Sequence, residues 1–384
     1  MSSSSGEGYV PYLVIGAGVS GLSAALALLD KGVPGHDIAI IDAQDHAGGR
    51  VNSIALASGI VAERGASWYH LDDFGHNPFM EFILARYGAG LAHIIPENQT
   101  PCLALTDKGP QTIPYFDDDI DNRLRDEFHK FHAANPKSDI SLLGLARRIK
   151  DKDRGRAMIH IRRLAENYMG SAHENQSSAS EVFTDPYGDG GPQVWEGLET
   201  GIRAMEAELR SRGVAMHLNT QIETMAEGPD GAVLTDAKGV QHEAGRVICT
   251  LPVPVLKTMA ARSKDVMGLG LRQYLKSIQI SHFTKLIVPM EEGWIAQRFA
   301  PDSAVINTVG EDFTEISIRP ASKPLAILFA TGERAVAWER MDKARLMDVV
   351  NIAFAQIPAM EGFEKAVLAD EISVTDWNTN PLFR

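Results

Sequence analysis

The sequence predicts a chain that is part α/β and part α+β, in which a parallel-sheet nucleotide-type domain is interleaved with a helical plus β-sheet domain. Three observations predict it. Tyr12 to Arg50 reads as strand, glycine-rich turn, helix and second strand. A block from about Val194 to Leu251 repeats that alternation of helix and apolar strand. Between and after these blocks, the helix-patterned stretches 77–92 and 119–170 and the β-alternating stretch 270–335 supply material of another kind.

The first block carries the most chemistry. The strand Tyr12 to Ile15 runs into Gly16-Ala17-Gly18-Val19-Ser20-Gly21. Gly16 allows the tight turn out of the strand, Gly18 removes a side chain where a pyrophosphate approaches the backbone, and Gly21 lets the helix pack on the sheet. The helix start then offers free N–H groups and a positive dipole end to phosphates. Asp42 closes the second strand, where a carboxylate can hold a ribose hydroxyl. Strand, glycines, helix, strand and acid in this order specify a Rossmann-like dinucleotide site. Ser20 inside the motif and Ala43 after Asp42 join the expected binding residues.

Leu22, Ala25, Leu26 and Leu29 share one helix face, and Gly32 makes a C-cap. Short β-like runs lead to Glu63-Arg64-Gly65-Ala66-Ser67-Trp68. Residues 101–118 read as a hairpin turning at Asp107-Lys108-Gly109, and 171–192 as loop. Leu198, Ile202, Met205 and Leu209 recur at helical spacing, ended by Gly213, with a strand from Val214 to Leu218. A hairpin turning at Ala237-Lys238-Gly239 precedes a separate apolar strand, Arg246 to Leu251. A helix is expected from Arg340 to Ile357. The acidic run Asp117-Asp118-Asp119 with Asp121 reads as a solvated loop, and Arg147 to Arg154 as a helix face and turn.

Composition narrows the function classes. With 384 residues and 44% hydrophobic content, two or three domains are expected. A net charge of −13 argues against nucleic acid as a partner. Two cysteines, Cys102 and Cys249, make neither a disulfide framework nor a cysteine-rich metal site, and no metal is expected. No apolar run reaches the ~18 residues that span a bilayer, so no membrane contact is expected. Met1 to Gly8 is rich in Ser and Gly and lacks a basic region. A signal peptide is therefore not read, and a cytoplasmic location is the default expectation.

At this point the residues resemble a family, the flavin-dependent amine oxidases. Five features carry the resemblance: the opening unit with Asp42, Gly48-Gly49-Arg50, Gly65-Ala66-Ser67-Trp68, the block VWEGLETGIRAMEAEL…NTQIETM…VICTLPVPVLK, and Lys285 in ISHFTKLIV. The resemblance implies FAD as cofactor. Arg50 would meet its diphosphate, a role that a planar guanidinium after two small residues suits. The backbone of Gly65 to Trp68 would lie along the flavin, with Gly49 and Ile222 completing the nucleotide side. Lys285 would hold a water beside flavin N5, and Trp377 would pack next to the ring. Trp68-Tyr69-His70 followed by Gly75-His76-Asn77-Pro78 looks most like polyamine oxidases, in which the histidine faces the substrate. The expected catalytic residues are therefore Lys285 and His70, and the expected substrate is a small-molecule amine. It would be oxidised by hydride transfer to N5, with hydrolysis of the imine.

The implied domains are 1–76, 77–192, 193–265 and 266–384, alternating FAD-binding and substrate-binding. A third FAD-binding part, which the family carries after the tryptophan, is missing from the sequence up to Arg384. Three accounts fit: a split or processed enzyme completed by a second polypeptide, a shortened chain, and a natural homologue that has lost the flavin. The first two are preferred, and a homo-oligomer is allowed. The alternative functions are a catalytically silent or cofactor-free subunit, an L-amino-acid oxidase, or a flavin desaturase.

Overall fold

The computed structural model describes residues 9–67, 77–88, 94–95, 102–106, 109–113, 118–169, 193–194, 198–263, 266–278, 280–307 and 315–383. The chain opens with β1 (Val10–Ile15), α1 (Val19–Asp30) and β2 (Ile38–Ile41). Gly32, at φ +87°, ends α1 in a backbone region that favours glycine. A small hairpin follows, β3 (Ser53–Ala55) with β4 (Val61–Glu63). Helix α2 (Pro78–Tyr87) starts where the Asn77 side chain accepts from the Met80 amide, with proline at its first position. Strand β5 (Ile94–Ile95) precedes β6 (Cys102–Thr106) and β7 (Gly109–Ile113), which pair antiparallel with Thr106 opposite Gly109; Asp107 and Lys108 lie outside the described residues.

Helices α3 (Asp118–Ala134), α4 (Leu142–Ala146) and α5 (Arg154–Met169) pack around Ile120, Leu124, Leu142, Leu145 and Ile161. The expectation of a loop at the aspartates is overturned here. Asp118 begins α3, and Asp119 and Asp121 pair with Arg123 and Arg125 one turn on. Opposite charges at this spacing stabilise a helix rather than interrupt it.

After β8 (Gln193–Val194), which pairs with β5, come α6 (Leu198–Ser211) and strands β9 (Ala215–His217), β10 (Ile222–Gly228), β11 (Gly231–Asp236) and β12 (Gln241–Cys249). The separate strand expected at Arg246 is the second half of β12. That strand runs antiparallel to β11 over its first half and parallel to β1 over its second. The resulting six-stranded sheet has the order β10-β11-β12-β1-β2-β9. Its alternating side chains feed two cores. Val14, Ile38 and Ile40 face α1 and α6, while Leu13, Ile15, Ala39 and Ile41 face helices α7 (Val253–Arg262) and α8 (Leu269–Ser277).

The remaining elements are β13 (Phe283–Pro289), α9 (Glu292–Ala296), β14 (Ser303–Asn307), β15 (Glu315–Ile318), β16 (Leu325–Thr331), α10 (Gly332–Glu339), α11 (Lys343–Ala355) and β17 (Ser373–Val374). The stretch expected to alternate in β fashion thus includes helices α8 and α9. The second sheet has the order β17-β13-β16-β15-β14-β6-β7. One face buries Leu286, Val288 and Leu328 beneath Trp338 and Phe354 of α10 and α11. The other face carries Ile287, Ile327 and Phe329 against Ala62 of β4. The β3–β4 hairpin, reached directly from the nucleotide-type unit, therefore joins the two sheets. No described helix is long and apolar enough to cross a membrane.

Two glycines of the opening motif should separate in a melting experiment. A Cβ on Gly21 would stand 1.8 Å from the Gly16 carbonyl oxygen, whereas one on Gly18 would find its nearest neighbours at 3.9 and 4.0 Å. Gly21→Ala should cost about 1–3 kcal/mol by overpacking, read from the thermal midpoint. Gly18→Ala should leave that midpoint nearly unmoved.

Candidate functional site

The site begins at the carboxyl ends of the parallel strands, where open α/β sheets place their ligands. Gly16 takes φ +105°, and Thr250 at the end of β12 closes over it, its hydroxyl donating to the Ile15 carbonyl at 2.8 Å. Gly18 is the N-cap of α1. No side chain caps this helix, and no acidic residue stands in its first turn. Its first amides have no partner within the helix and its dipole end is positive, which is the chemistry of an anion site. Ser20 is exposed in that turn.

Asp42 is half-buried just past β2. One oxygen accepts from the Ala17 amide at 2.6 Å and the other from the Gln44 amide at 2.7 Å. Burial pushes its carboxyl up, against the pull of those two amides. The acid therefore ties the glycine turn to the end of β2, and each oxygen keeps acceptor capacity for a ribose hydroxyl. The chain then crosses beneath it: the Thr220 amide donates to the Asp42 carbonyl and the Asn219 amide to the Gln44 carbonyl. This crossing delivers Ile222 to the core that holds Leu13, Ile15 and Ile41.

Gly48 and Gly49, both at positive φ, bring a second glycine-rich segment against the first. The Gly48 amide donates to the Ala17 carbonyl at 2.9 Å, and a Cβ on Gly49 would come 3.3 Å from the Gly18 Cα. Arg50 is exposed beside this contact and forms no ion pair with any described residue. Its carbonyl accepts from the Ala66 amide at 3.0 Å. A Cβ on Gly65 would stand 1.7 Å from that same carbonyl, so only glycine fits there. Gly65-Ala66-Ser67 is thereby laid alongside the phosphate-side segment.

Lys285 enters this strip from β13. It stands on the strand face that also carries Ile287, and it is 3% exposed. Its ammonium donates to the Gly65 carbonyl at 2.5 Å, to the Ser67 hydroxyl at 2.6 Å and to the Glu63 carbonyl at 3.4 Å. Burial pushes Lys285 down to about 7, with the Glu63 charge opposing. Burial likewise pushes Glu63 up to about 7, against the Ser53 hydroxyl bond and the charges of Lys323 and Lys285. Trp377 donates its indole N–H to the Arg64 carbonyl at 3.2 Å, and its ring edge lies where a side chain on Gly65 would reach. A cavity of about 310 Å³ opens between Ala43, Asn52, Asn219, Arg64, Asp376 and Trp377.

The structure thus brings together Gly16, Gly18, Gly21, Asp42, Ala43, Gly49, Arg50, Gly65, Ala66, Ser67, Lys285 and Trp377. Trp68 and His70 lie outside the described residues. Sequence reasoning missed Thr250, Ser53, Glu63 and the Arg64–Asp376 ion pair at 2.9 Å. Thr250 had a readable signal, since it follows an apolar strand that pairs with β1. An uncapped helix start, an exposed guanidinium with no ion pair among the described residues, an acid at the strand end and a strip of small residues form a cradle that suits a dinucleotide.

The buried Glu63 gives this site a pH signature. Its folded pKa lies above the ordinary 4.5. The stability it contributes is therefore complete below pH 4.5 and is lost as pH rises through about 7. Glu63→Gln lacks that loss and should gain on the wild type across this window, by up to about 3 kcal/mol. Parallel melting curves for the two proteins would argue against a raised Glu63 pKa.

A statistical description of flavin containing amine oxidoreductases matches residues 19–384. A corticosteroid-binding protein from Candida albicans is 44% identical over 62 residues, 15% of this chain and 13% of that protein. Polyamine oxidase 1 from Zea mays is 46% identical over 56 residues, 15% of this chain and 11% of that enzyme. The match therefore spans under two thirds of each relative's length. A putrescine oxidase structure with bound putrescine superposes with a TM-score of 0.73 at 16% identity, covering 98% of this chain and 86% of that one, which shows a shared fold. The family match extends from the glycine motif to the last residue of the sequence, and the chain belongs to the flavin-containing amine oxidoreductases.

Proposed function

We propose that this protein binds FAD and oxidises an amine, with polyamines and related alkyl amines as the substrate class. The observation that carries the reading is the continuous strip from the α1 N-terminus through Arg50 to Gly65, Ser67 and Lys285. The amides of α1 and the Arg50 guanidinium would hold the diphosphate, and Asp42 would hold the ribose. Gly65, Ala66 and Ser67 present backbone without bulky side chains along which a planar ring can lie. When bound, FAD supplies a two-electron acceptor for the C–H bond beside the amine nitrogen.

The rest of the chemistry belongs to the chain and to water. Loss of a hydride equivalent from carbon and a proton from nitrogen leaves an imine, and water converts it to a carbonyl compound and a released amine. Lys285 would hold that water or take its proton, a role supported by the burial that lowers its pKa to about 7. Arg64 is neutralised by Asp376. It therefore offers little to a substrate carboxylate, which favours an amine over an amino acid.

Purified protein mixed with FAD should show the near-ultraviolet and blue bands of a bound oxidised flavin. Anaerobic addition of a diamine should bleach them. A protein that retains no flavin, or a bound flavin that no amine bleaches, would overturn the proposal. Arg50→Ala should weaken FAD binding about 10–100-fold, as loss of a charge-assisted hydrogen bond does, with the melting midpoint unchanged. Lys285→Met should keep FAD and slow amine-dependent bleaching on the order of 10²-fold, the scale of a lost proton-transfer group.

A further inference from the structure

Glu63 is a buried carboxyl to which the proposed chemistry gives no task. It is 1% exposed, and its Oε2 accepts from the Ser53 hydroxyl at 2.6 Å across the β3–β4 rung on which the two residues pair. The Ser53 amide donates at 3.1 Å to Glu199, 146 residues on in the first turn of α6. Ser53 therefore bridges two carboxylates, one buried and one partly open to solvent. On its other side, the Glu63 carbonyl accepts from the Lys285 ammonium.

The geometry points to Glu63 as a positioning residue for Lys285, with Ser53 and Glu199 linking that control to the surface of α6. The charged groups around Glu63 come from three elements. Lys285 approaches from β13, Lys323 from the turn before β16, where it donates to the Val61 carbonyl at 2.7 Å, and Glu199 from α6, itself paired with Arg203. An ionised Glu63 favours the Lys285 cation, and an ionised Glu199 disfavours ionisation of Glu63. Glu63 and Lys285 both change charge near neutrality, so the two titrate as a coupled pair. The charge of Lys285 is then not a property of Lys285 alone. It responds in opposite senses to two acids, one of them at the surface.

The role of Lys285 in this inference rests on the function proposed above, but its titration can be read without flavin or substrate. In flavin-free protein carrying lysine isotope-labelled at the ε carbon, the Lys285 resonance is assigned by its loss in Lys285→Met and followed against pH. Glu63→Gln should lower the Lys285 midpoint by about one pH unit, the size of a lost neighbouring charge. Glu199→Gln should raise it, because Glu63 then ionises more readily. An unmoved midpoint, or shifts of the same sign in the two variants, overturns the inference. Should Glu63→Gln fail to fold, Glu199→Gln decides the matter alone: an upward shift supports the coupling, and no shift refutes it. In FAD-loaded protein, the pH profile of amine-dependent bleaching should move with the same signs. Shifted lysine midpoints without any bleaching would leave the coupling standing and sink the amine-oxidation reading. Bleaching with unmoved midpoints would sink the coupling alone.

Discussion

Lys285 carries an ammonium group from the antiparallel sheet into the protein interior. An isolated charge there would be excluded by its lost hydration. It persists because the Gly65 and Glu63 carbonyls and the Ser67 hydroxyl accept its protons. Those acceptors lie on the strip after β4, while the lysine belongs to β13. Satisfying the buried cation therefore fixes the second sheet against the strip. The segment after β17 is held by the same region, since the Thr375 hydroxyl accepts from the Lys285 amide and Trp377 reaches the Arg64 carbonyl. Removing this one cation would leave three acceptors without their donor, while Ile287, Ile327 and Phe329 would still pack the sheet against Ala62 of β4.

The other end of the strip is set by close backbone approach rather than by charge. Gly21 against Gly16, Gly49 against Gly18 and Gly65 against Arg50 are three places where a Cβ would meet, or press closely on, neighbouring backbone. Two hydrogen bonds, from the Gly48 amide to the Ala17 carbonyl and from the Ala66 amide to the Arg50 carbonyl, run between them. The result is a hydrogen-bonded backbone path from the helix start to the buried lysine, with few side chains to obstruct a ligand along it. The path is shaped by the absence of side-chain atoms as much as by their placement.

The opening unit was legible because each of its parts has a local signature: glycine spacing, apolar alternation and a terminal acid. The antiparallel pairing of β6 with β7 and the faces of α1 and α6 were legible for the same reason. What stayed hidden depends on partners far away in sequence. β12 read as two pieces because its strand partner changes halfway, and an alternating pattern does not record which neighbour each half will meet. Asp119 and Asp121 read as loop because their negative charge was counted without the arginines one turn on. Glu63 looked like an ordinary member of a glycine motif, since its partners Ser53, Glu199 and Lys285 are brought together only by the packing of three elements. Lys285 was singled out by resemblance, and its burial followed only from the strand face it occupies.

The electrostatics of the strip also bear on which molecules it can face. In the proposed reaction, a fully charged lysine at this position would repel an approaching ammonium ion. Burial that holds Lys285 near a pKa of about 7 weakens that repulsion near neutral pH. The same desolvation acts on any amine entering the space and favours its neutral form, which is the form whose nitrogen lone pair assists loss of hydride from the adjacent carbon. A carboxylate-bearing substrate needs the opposite arrangement, a buried cation with no partner of its own. Arg64, directly before Gly65, already has Asp376 at 2.9 Å. One physical cause, the burial of Lys285, thus bears on the charge of the residue and, in the proposed reaction, on the charge of the substrate.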